Sequence, residues 1–476
     1  MTFLRGASRR IGVVLAVAAT TGGCMVGARY TRPPVAEPPR FKSPAPAAGE
    51  TTLPEEWWRL YRDPDLDRLI AMANASNQTL VQAVARVDEA RALARVAGSY
   101  RYPTATVNAI HTRQRTSANR ISQFSGQPVG SAATFNDWLV PVDLSYEVDV
   151  WGRVRRSLQA ARAAAVASWD DEAVIRLSVQ ADVAQFYYTL RSLDAQLDVL
   201  ARTVQAYREE VRVLSVQVNT GIASPIVLSQ AQAQLQSTLA QQNDVARARA
   251  DEEHALAILC GQPAPSFAVA SNPQGDSAPP AVPPGLPATL LLKRPDVAEA
   301  EQNIVAANAQ VGVATANLYP TFGLTGTAGF ESGALHSLFA WQSSLWSIAE
   351  GITAPIFDGG RLRANLAASK AQYRQVVAAY VNQVLIAYGD VEDALGDLHA
   401  LTDEVANLRG AVAASENYLR LAQVQYRSGL VDYLTVIDAE RTLLSNQLGL
   451  AQSLNSQMSA SIHLIKALGG GWQDQP

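Results

Sequence analysis

Cysteine and histidine are scarce, and their scarcity removes several chemistries at once. The 476 residues hold two cysteines, Cys24 and Cys260, and five histidines, at 111, 254, 336, 399 and 463. Two cysteines cannot build a disulfide framework, and histidines so far apart give no spacing for a zinc site. Charge of one sign is missing as well: 39 Lys and Arg stand against 43 Asp and Glu, a net charge of −4 with no basic block, which excludes a nucleic-acid surface. Hydrophobic residues make up 48% of the chain. Even so, no run reaches the roughly 18 apolar residues of a membrane-spanning helix, which rules out helical insertion but not a β-barrel. There is no Gly-x-x-x-x-Gly-Lys loop, Gly-x-Ser-x-Gly elbow, His-Glu-x-x-His or Cys-x-x-Cys. The expectation is a chain that is not an enzyme and carries no cofactor or metal.

What is present begins with an export signal over residues 1–23. Arg5, Arg9 and Arg10 precede a short apolar stretch from Ile11 to Ala19, and Thr20-Thr21-Gly22-Gly23 leads to Cys24. Small residues before a cysteine resemble a bacterial lipobox, in which Cys24 is acylated. Thr21 stands where lipoboxes usually carry Leu, and a plain cleaved signal is the alternative. Residues 24–53 are rich in proline and should be extended. Cys260, in Ile258-Leu259-Cys260-Gly261, reads as a small buried apolar residue.

The remainder is two copies of one unit. Gly152, Arg153, Arg155, Leu158, Ala160 and Ala163 recur 208 residues later as Gly360, Arg361, Arg363, Leu366, Ala368 and Ala371. Val216, Gln217, Gly221, Ala231 and Leu235 recur at the same interval. Tyr102-Pro103 matches Tyr319-Pro320 at 217, so the first copy holds nine extra residues in a loop between Pro103 and Gly152. The expected division is repeat 1 over 54–262, a Pro-rich linker over 263–287, repeat 2 over 288–472 and a tail over 473–476. Each repeat should hold a helix, a β-hairpin and a long helical hairpin.

Periodicity supports that plan. Leu190, Leu193, Leu197, Leu200, Val204, Tyr207, Val211 and Leu214 step by three and four, a coiled-coil seam; Leu398, Leu401, Val405, Leu408 and Val412 repeat it before Ser415 and Ala422 weaken the stripe. No Pro or Gly interrupts Arg153 to Val218, which at 1.5 Å per residue is about 100 Å of helix. Gly221, then Ser224-Pro225, ends that helix and starts its return. Before the long helix the period is two: Val140, Val142, Leu144, Tyr146, Val148 and Val150 alternate with polar and acidic residues. Partner strands are expected after Pro103, at Thr321 to Phe330 and at Trp346 to Phe357, with Thr116 to Asn136 as a loop. Glu350 interrupts the apolar alternation. Four such strands cannot span a bilayer alone, because an open edge leaves backbone groups unpaired, so closure has to come from other subunits. Two soluble hairpins under a helical bundle are the alternative.

Distributed motifs now carry a resemblance: Tyr30-Thr31-Arg32-Pro33 after Cys24; Trp57-Trp58 with Asp63-Pro64; Tyr146 to Arg153; Arg294-Pro295-Asp296 with Ala300-Glu301; Pro355 to Arg361; and Ala467 to Gly471. The whole chain after the signal resembles the TolC-like outer-membrane efflux proteins, in particular the OprM-type (NodT) lipoprotein branch. The resemblance implies a mainly α fold with a β-barrel part: a homotrimeric duct with a twelve-stranded β-barrel, four strands per chain, joined to a long periplasmic α-helical barrel. It implies location in the outer membrane with its lipid, and as partners a periplasmic adaptor and an inner-membrane pump of the resistance-nodulation-division class. It implies passive conduction of small molecules and drugs; a type I secretion exit duct and a non-conducting coiled-coil lipoprotein remain the alternatives.

Site residues follow from the turns, which lie a long helix away from the strands. The resemblance gives Thr220, Gly221, Ser224, Ser428, Gly429 and Asp432 a role in docking the adaptor. Leu434, Asp438 and Arg441 stand on one face of a helix at i, i+4 and i+7, and the resemblance places the closed-state gate there. A solvated Asp438–Arg441 pair is the plainer reading. The first repeat holds Ile226, Gln230 and Ala233 at those places, so a charged constriction would come from one repeat only.

Overall fold

The structure is a computed structural model that describes residues 25–43, 53–121, 130–273, 278–282 and 293–472. The signal, the lipidation candidate Cys24 and the tail 473–476 lie outside the described residues. In chain order the elements are α1 (Pro64–Ser76), α2 (Gln78–Ser99), β1 (Thr104–Val107), β2 (Ile110–Arg115), β3 (Thr134–Val148), α3 (Arg153–Asn219), α4 (Pro225–Leu259), α5 (Pro295–Ala316), β4 (Thr321–Ser332), β5 (Ser344–Thr353), α6 (Arg361–Arg427) and α7 (Tyr433–Ala467).

The duplication is visible in these bounds. Helices α2 and α5 each hold 22 residues, and each of α5 and β4 begins 217 residues after its counterpart. Helices α3 and α6 hold 67 residues and α4 and α7 hold 35, each second copy starting 208 residues after the first. By contacts the chain forms two compact units, and each draws on both repeats. One contains the strands with the helix ends that adjoin them; the other contains α1, most of the long helices and the ends of their hairpins.

In the first unit the sheet order is β1 and β2 on one edge, then β3, β4 and β5, all antiparallel. The strand expected after Pro103 is split in two. Its register does not slip, since Val107 pairs with Val142 and Ile110 with Leu139. The gap at Asn108 and Ala109 faces Val140 and Pro141, and Pro141 has no N–H for the ladder. The expected loop also gives ground, because β3 already begins at Thr134. At the other edge β5 stops at Thr353, short of the expected Phe357; Pro355 cannot continue the ladder, and Ile356 and Phe357 stand exposed beyond it.

Residues 25–43 form neither helix nor strand, residues 44–52 of the expected tail lie outside the described residues, and the part up to Pro33 is pinned within the same unit. Val26 N–H donates to the Trp151 carbonyl at 3.1 Å. The buried Arg156 guanidinium donates to the carbonyls of Val26, Gly27 and Ala28 at 3.1 to 3.3 Å. Further along, Tyr30 and Arg32 both donate to the Glu301 carboxylate. The motif residues of the sequence are thus contact residues of the fold. Trp151 donates to the Pro320 carbonyl at 2.8 Å and stacks on Tyr319, while Asp149 accepts from the backbone N–H of Val154 and Arg155 to start α3.

The second unit is held by the interhelical seam. Every residue of the stripe from Leu190 to Leu214 is buried or half-buried. In the second repeat Ser415 and Ala422 do not end the stripe; both are buried in it, and Ser415 accepts a hydrogen bond from Asn446 at 2.6 Å. Asp63 caps α1 ahead of Pro64 and also accepts from Tyr187. Arg294 donates to the Ala467 carbonyl at the end of α7 and pairs with Asp296 and Asp390. A Cβ on Gly469, at φ +89°, would run into the Lys293 carbonyl oxygen, so the backbones meet there only because no side chain intervenes. Cys260 is buried, as expected, and burial pushes its thiol up to about 11.

Candidate functional site

The six residues assigned to docking build two nearly identical hairpin ends. At the first, Ile222 N–H donates to the Gln217 carbonyl and Gly221 N–H to that of Val218, a Schellman cap with Gly221 at φ +75°. At the second, Leu430 donates to Gln425 and Gly429 to Tyr426, with Gly429 at φ +72°. Thr220 and Ser428 turn their hydroxyls back onto the carbonyls of Val216 and Val424 at 2.9 and 3.0 Å. Ser224 and Asp432 then cap the returning helices, Ser224 accepting from Ile226 N–H and Asp432 from Thr435 N–H and its hydroxyl. No atom lies within 4 Å of a Cβ built on either glycine, so the space beside each is open.

Two residues of these ends escaped the sequence reading. Ile222 and Leu430, 77% and 74% exposed, occupy equivalent positions just after the glycines. An apolar residue there usually packs back on the helix three residues before its cap. Here that position is Gln217 or Gln425, which offers no apolar partner. The recurrence of an apolar residue at the 208-residue interval was the available signal.

Leu434, Asp438 and Arg441 do share a face of α7, and all three are exposed. The opposite face of the same turns, Tyr433, Val436, Ile437 and Ala439, is buried with Leu214 of α3, Ala231 of α4 and Ala422 of α6. Among the described residues no ion pair joins Asp438 to Arg441; Asp438 instead accepts a hydrogen bond from Tyr418 of α6 at 3.3 Å. Ile226, Gln230 and Ala233 of the first repeat are exposed in the same phase.

Directly behind this face lies a buried acid that the spacing did not single out. Glu440 is 9% exposed, and its Oε2 has no hydrogen-bond partner. Desolvation first, and then the charge of Glu210 on α3, push its carboxyl up to about 8. Glu210 is itself raised by burial and bonded to Tyr433. Tyr207, Tyr433 and Tyr426 complete the pocket, all raised chiefly by desolvation, and Arg441 acts on Tyr207 from its edge.

The sheet has two chemically distinct faces. Rows such as Val148–Phe322–Ile352, Leu144–Gly326–Ile348 and Val142–Ala328–Trp346 line one of them. Asp143–Thr327–Ser347, Ser145–Thr325–Ala349 and Glu147–Gly323–Gly351 line the other, where the Thr327 hydroxyl donates to Asp143 at 2.8 Å. Period-two alternation on three paired strands gives a membrane sheet with a lipid side and a polar side. Glu350 lies on the apolar side beside Leu324 and Tyr146, one row short of the sheet's helix-side end.

These features meet their counterparts in known proteins. The family model described as outer membrane efflux protein matches residues 69–262 and 286–470. The toluene efflux pump outer membrane protein TtgF of Pseudomonas putida is 33% identical over 97% of this chain and 96% of its own length. The cation efflux system protein CusC of Escherichia coli is 30% identical over 96% of this chain and 98% of its own. The outer-membrane channel OprN superposes with a TM-score of 0.87 at 28% identity, covering 95% of this chain and all of that one. Matches on this scale establish an outer-membrane component of an efflux system, extending into the periplasm, with an α-helical part and a β part in the membrane. This chain belongs to the outer membrane efflux protein family.

Proposed function

We propose that three copies of this chain close a passive exit duct whose resting state is shut at the hairpin ends by Leu434, Asp438 and Arg441. The sheet supports the assembly, because β1–β2 and β5 are both open edges in a sheet too narrow to close on itself. The single observation that carries the gate is the division of α7. Three residues are turned to the open while the other face of the same turns is sealed into the four-helix core. A three-fold axis past that face would bring together three Leu434 side chains and three Asp438 carboxylates. Tyr418 holds each Asp438 in place, and no catalytic step is needed.

Docking belongs to the hairpin ends. Thr220, Gly221, Ser224, Ser428, Gly429 and Asp432 shape two open loops, and the exposed Ile222 and Leu430 give an adaptor protein an apolar foothold on each. The energy comes from an inner-membrane pump of the resistance-nodulation-division class, which also selects the cargo. Acylation of Cys24 fits the pinned segment that follows it. Val26 N–H donates to the Trp151 carbonyl just past the helix-side end of β3, which supports an anchor at this end of the sheet.

Single-channel recording in planar bilayers tests the gate. Wild-type trimers should open rarely, and Asp438→Ala should conduct more readily. Equal conductance in the two would remove the gate while leaving the duct. Intact mass of the membrane-extracted protein tests Cys24, where three added acyl chains are expected.

A further inference from the structure

We propose that the outward face of β2 binds the phosphate groups of the anionic glycolipid in the outer leaflet, through a column formed by His111, Arg113 and Arg115. The unbroken register places these residues. His111 pairs with Trp138, Arg113 with Asn136 and Arg115 with Thr134, on the same strand β3 whose Val140, Val142 and Leu144 lie on the apolar face. All these β3 partners have the same parity, so the three basic residues stand on the lipid side, about 6.7 Å apart along the strand. The carboxylates of this region fall on the other face: Asp137 pairs with Thr112, and Glu331 with Leu139. His111, Arg113 and Arg115 are exposed, and among the described residues neither arginine makes an ion pair.

Position along the strand identifies the layer they meet. Helices α2 and α5 lead into β1 and β4, so that end of the sheet is periplasmic and the far ends of β2 and β3 point outward. Moving outward on the lipid side, the apolar rows end with Val140 and Phe330. Then comes Trp138, stacked on His111 at 3.9 Å between ring centroids, and then the two arginines. Apolar band, aromatic step and guanidinium pair follow the order of acyl chain, interface and phosphorylated headgroup. Guanidinium groups match phosphate oxygens as two-pronged donors. A soluble phosphate would use the charges alone, whereas a lipid also covers Trp138 and the valines below, and the continuity of the column with the apolar band favours the lipid. In a closed trimer β2 pairs at its edge with a neighbouring chain, and this face remains free.

The inference rests on the barrel reading for the direction of the face, and its test keeps the two apart. Full-length trimer in detergent is incubated with bisphosphorylated lipid A, with the same lipid dephosphorylated, with phosphatidylethanolamine and with inorganic phosphate, and retention is read by native mass spectrometry. Conductance in planar bilayers is recorded in parallel. Wild type should hold the bisphosphorylated lipid at least about tenfold more tightly than the dephosphorylated one, and Arg113→Gln with Arg115→Gln should lose about that factor with conductance unchanged. Equal retention of the two lipid forms by wild type overturns the proposal without recourse to any variant. So does undiminished retention by a conducting variant, or competition by inorganic phosphate at equal concentration. Failure of both wild type and Asp438→Ala to conduct overturns the barrel reading first, and this inference with it.

Discussion

The two helical hairpins are the same object in backbone and different objects in surface chemistry. Helices α3–α4 and α6–α7 agree in length residue for residue, end on the same pair of capping hydrogen bonds and turn on a glycine at nearly the same φ. Their exposed faces share only an apolar first residue: Ile226, Gln230 and Ala233 on one, Leu434, Asp438 and Arg441 on the other. Backbone geometry fixes which residue types can turn the chain. It is indifferent to what faces outward one turn later, and duplication therefore leaves one copy free to acquire charge. The duct reading makes the copies structural equals and only the second a gate.

The largest expected departure between them is in conduction. Asp438→Ala should raise open probability in planar bilayers several-fold, whereas Gln230→Ala at the equivalent place should leave it at the wild-type level. If both variants behaved alike, the functional difference between the hairpins would be lost.

Next in size is the buried acid behind the gate face. Glu440 has a carboxyl raised from 4.5 to about 8, so the folded chain keeps a proton that the unfolded chain has released between those values. The folded state binds more protons there, so the contribution of this group to stability is full below pH 4.5 and is lost as pH rises through about 8. Glu210, Tyr207, Tyr433, Tyr426 and Arg441 face the same pocket, and the unpaired charge on Glu440 adds to that of Glu210 as it forms. Glu440→Gln should flatten this slope, raising the melting temperature at pH 8 and hardly changing it at pH 5. A variant that melts lower than wild type at pH 8 would contradict the burial argument. The first repeat carries Gln232 at that position, exposed and without charge, and Gln232→Ala should leave the slope as it is in wild type.

Smaller effects test the sameness of the backbones. Gly221→Ala and Gly429→Ala meet no steric obstacle, so each should cost only the left-handed penalty of about 1–2 kcal/mol, equal at the two ends. Smallest is the loss of the helix caps. Ser224→Ala and Asp432→Ala should each cost about 1 kcal/mol, read as faster amide exchange confined to the first turn of the following helix. Protection lost well beyond that turn would mean the caps hold more than their own helices.

Most of the architecture was legible in the sequence because it depends on near neighbours. A 208-residue echo needs no coordinates, a glycine followed by Ser-Pro marks a turn by its φ requirements, and a period of two or of three and four shows which residues share a face. The departures from these patterns also have local causes. Pro141 lacks the N–H that would have kept β1 and β2 one strand, and Pro355 ends β5 before Ile356. Ser415, read as a weak point, is a seam residue because Asn446 satisfies its hydroxyl across the interface.

The sequence by itself determined the repeat, the helix lengths, the hairpin ends and the alternation of the membrane strands, since each rests on backbone preference over a few residues. Only the tertiary structure decided that Ile222 and Leu430 stay uncovered, that Glu350 lies one row inside the helix-side end of the apolar face, and that Glu440 is buried near Glu210. Exposure and desolvation depend on residues brought close from far along the chain, here 230 positions away in the case of Glu210 and Glu440, and no local pattern carries that information.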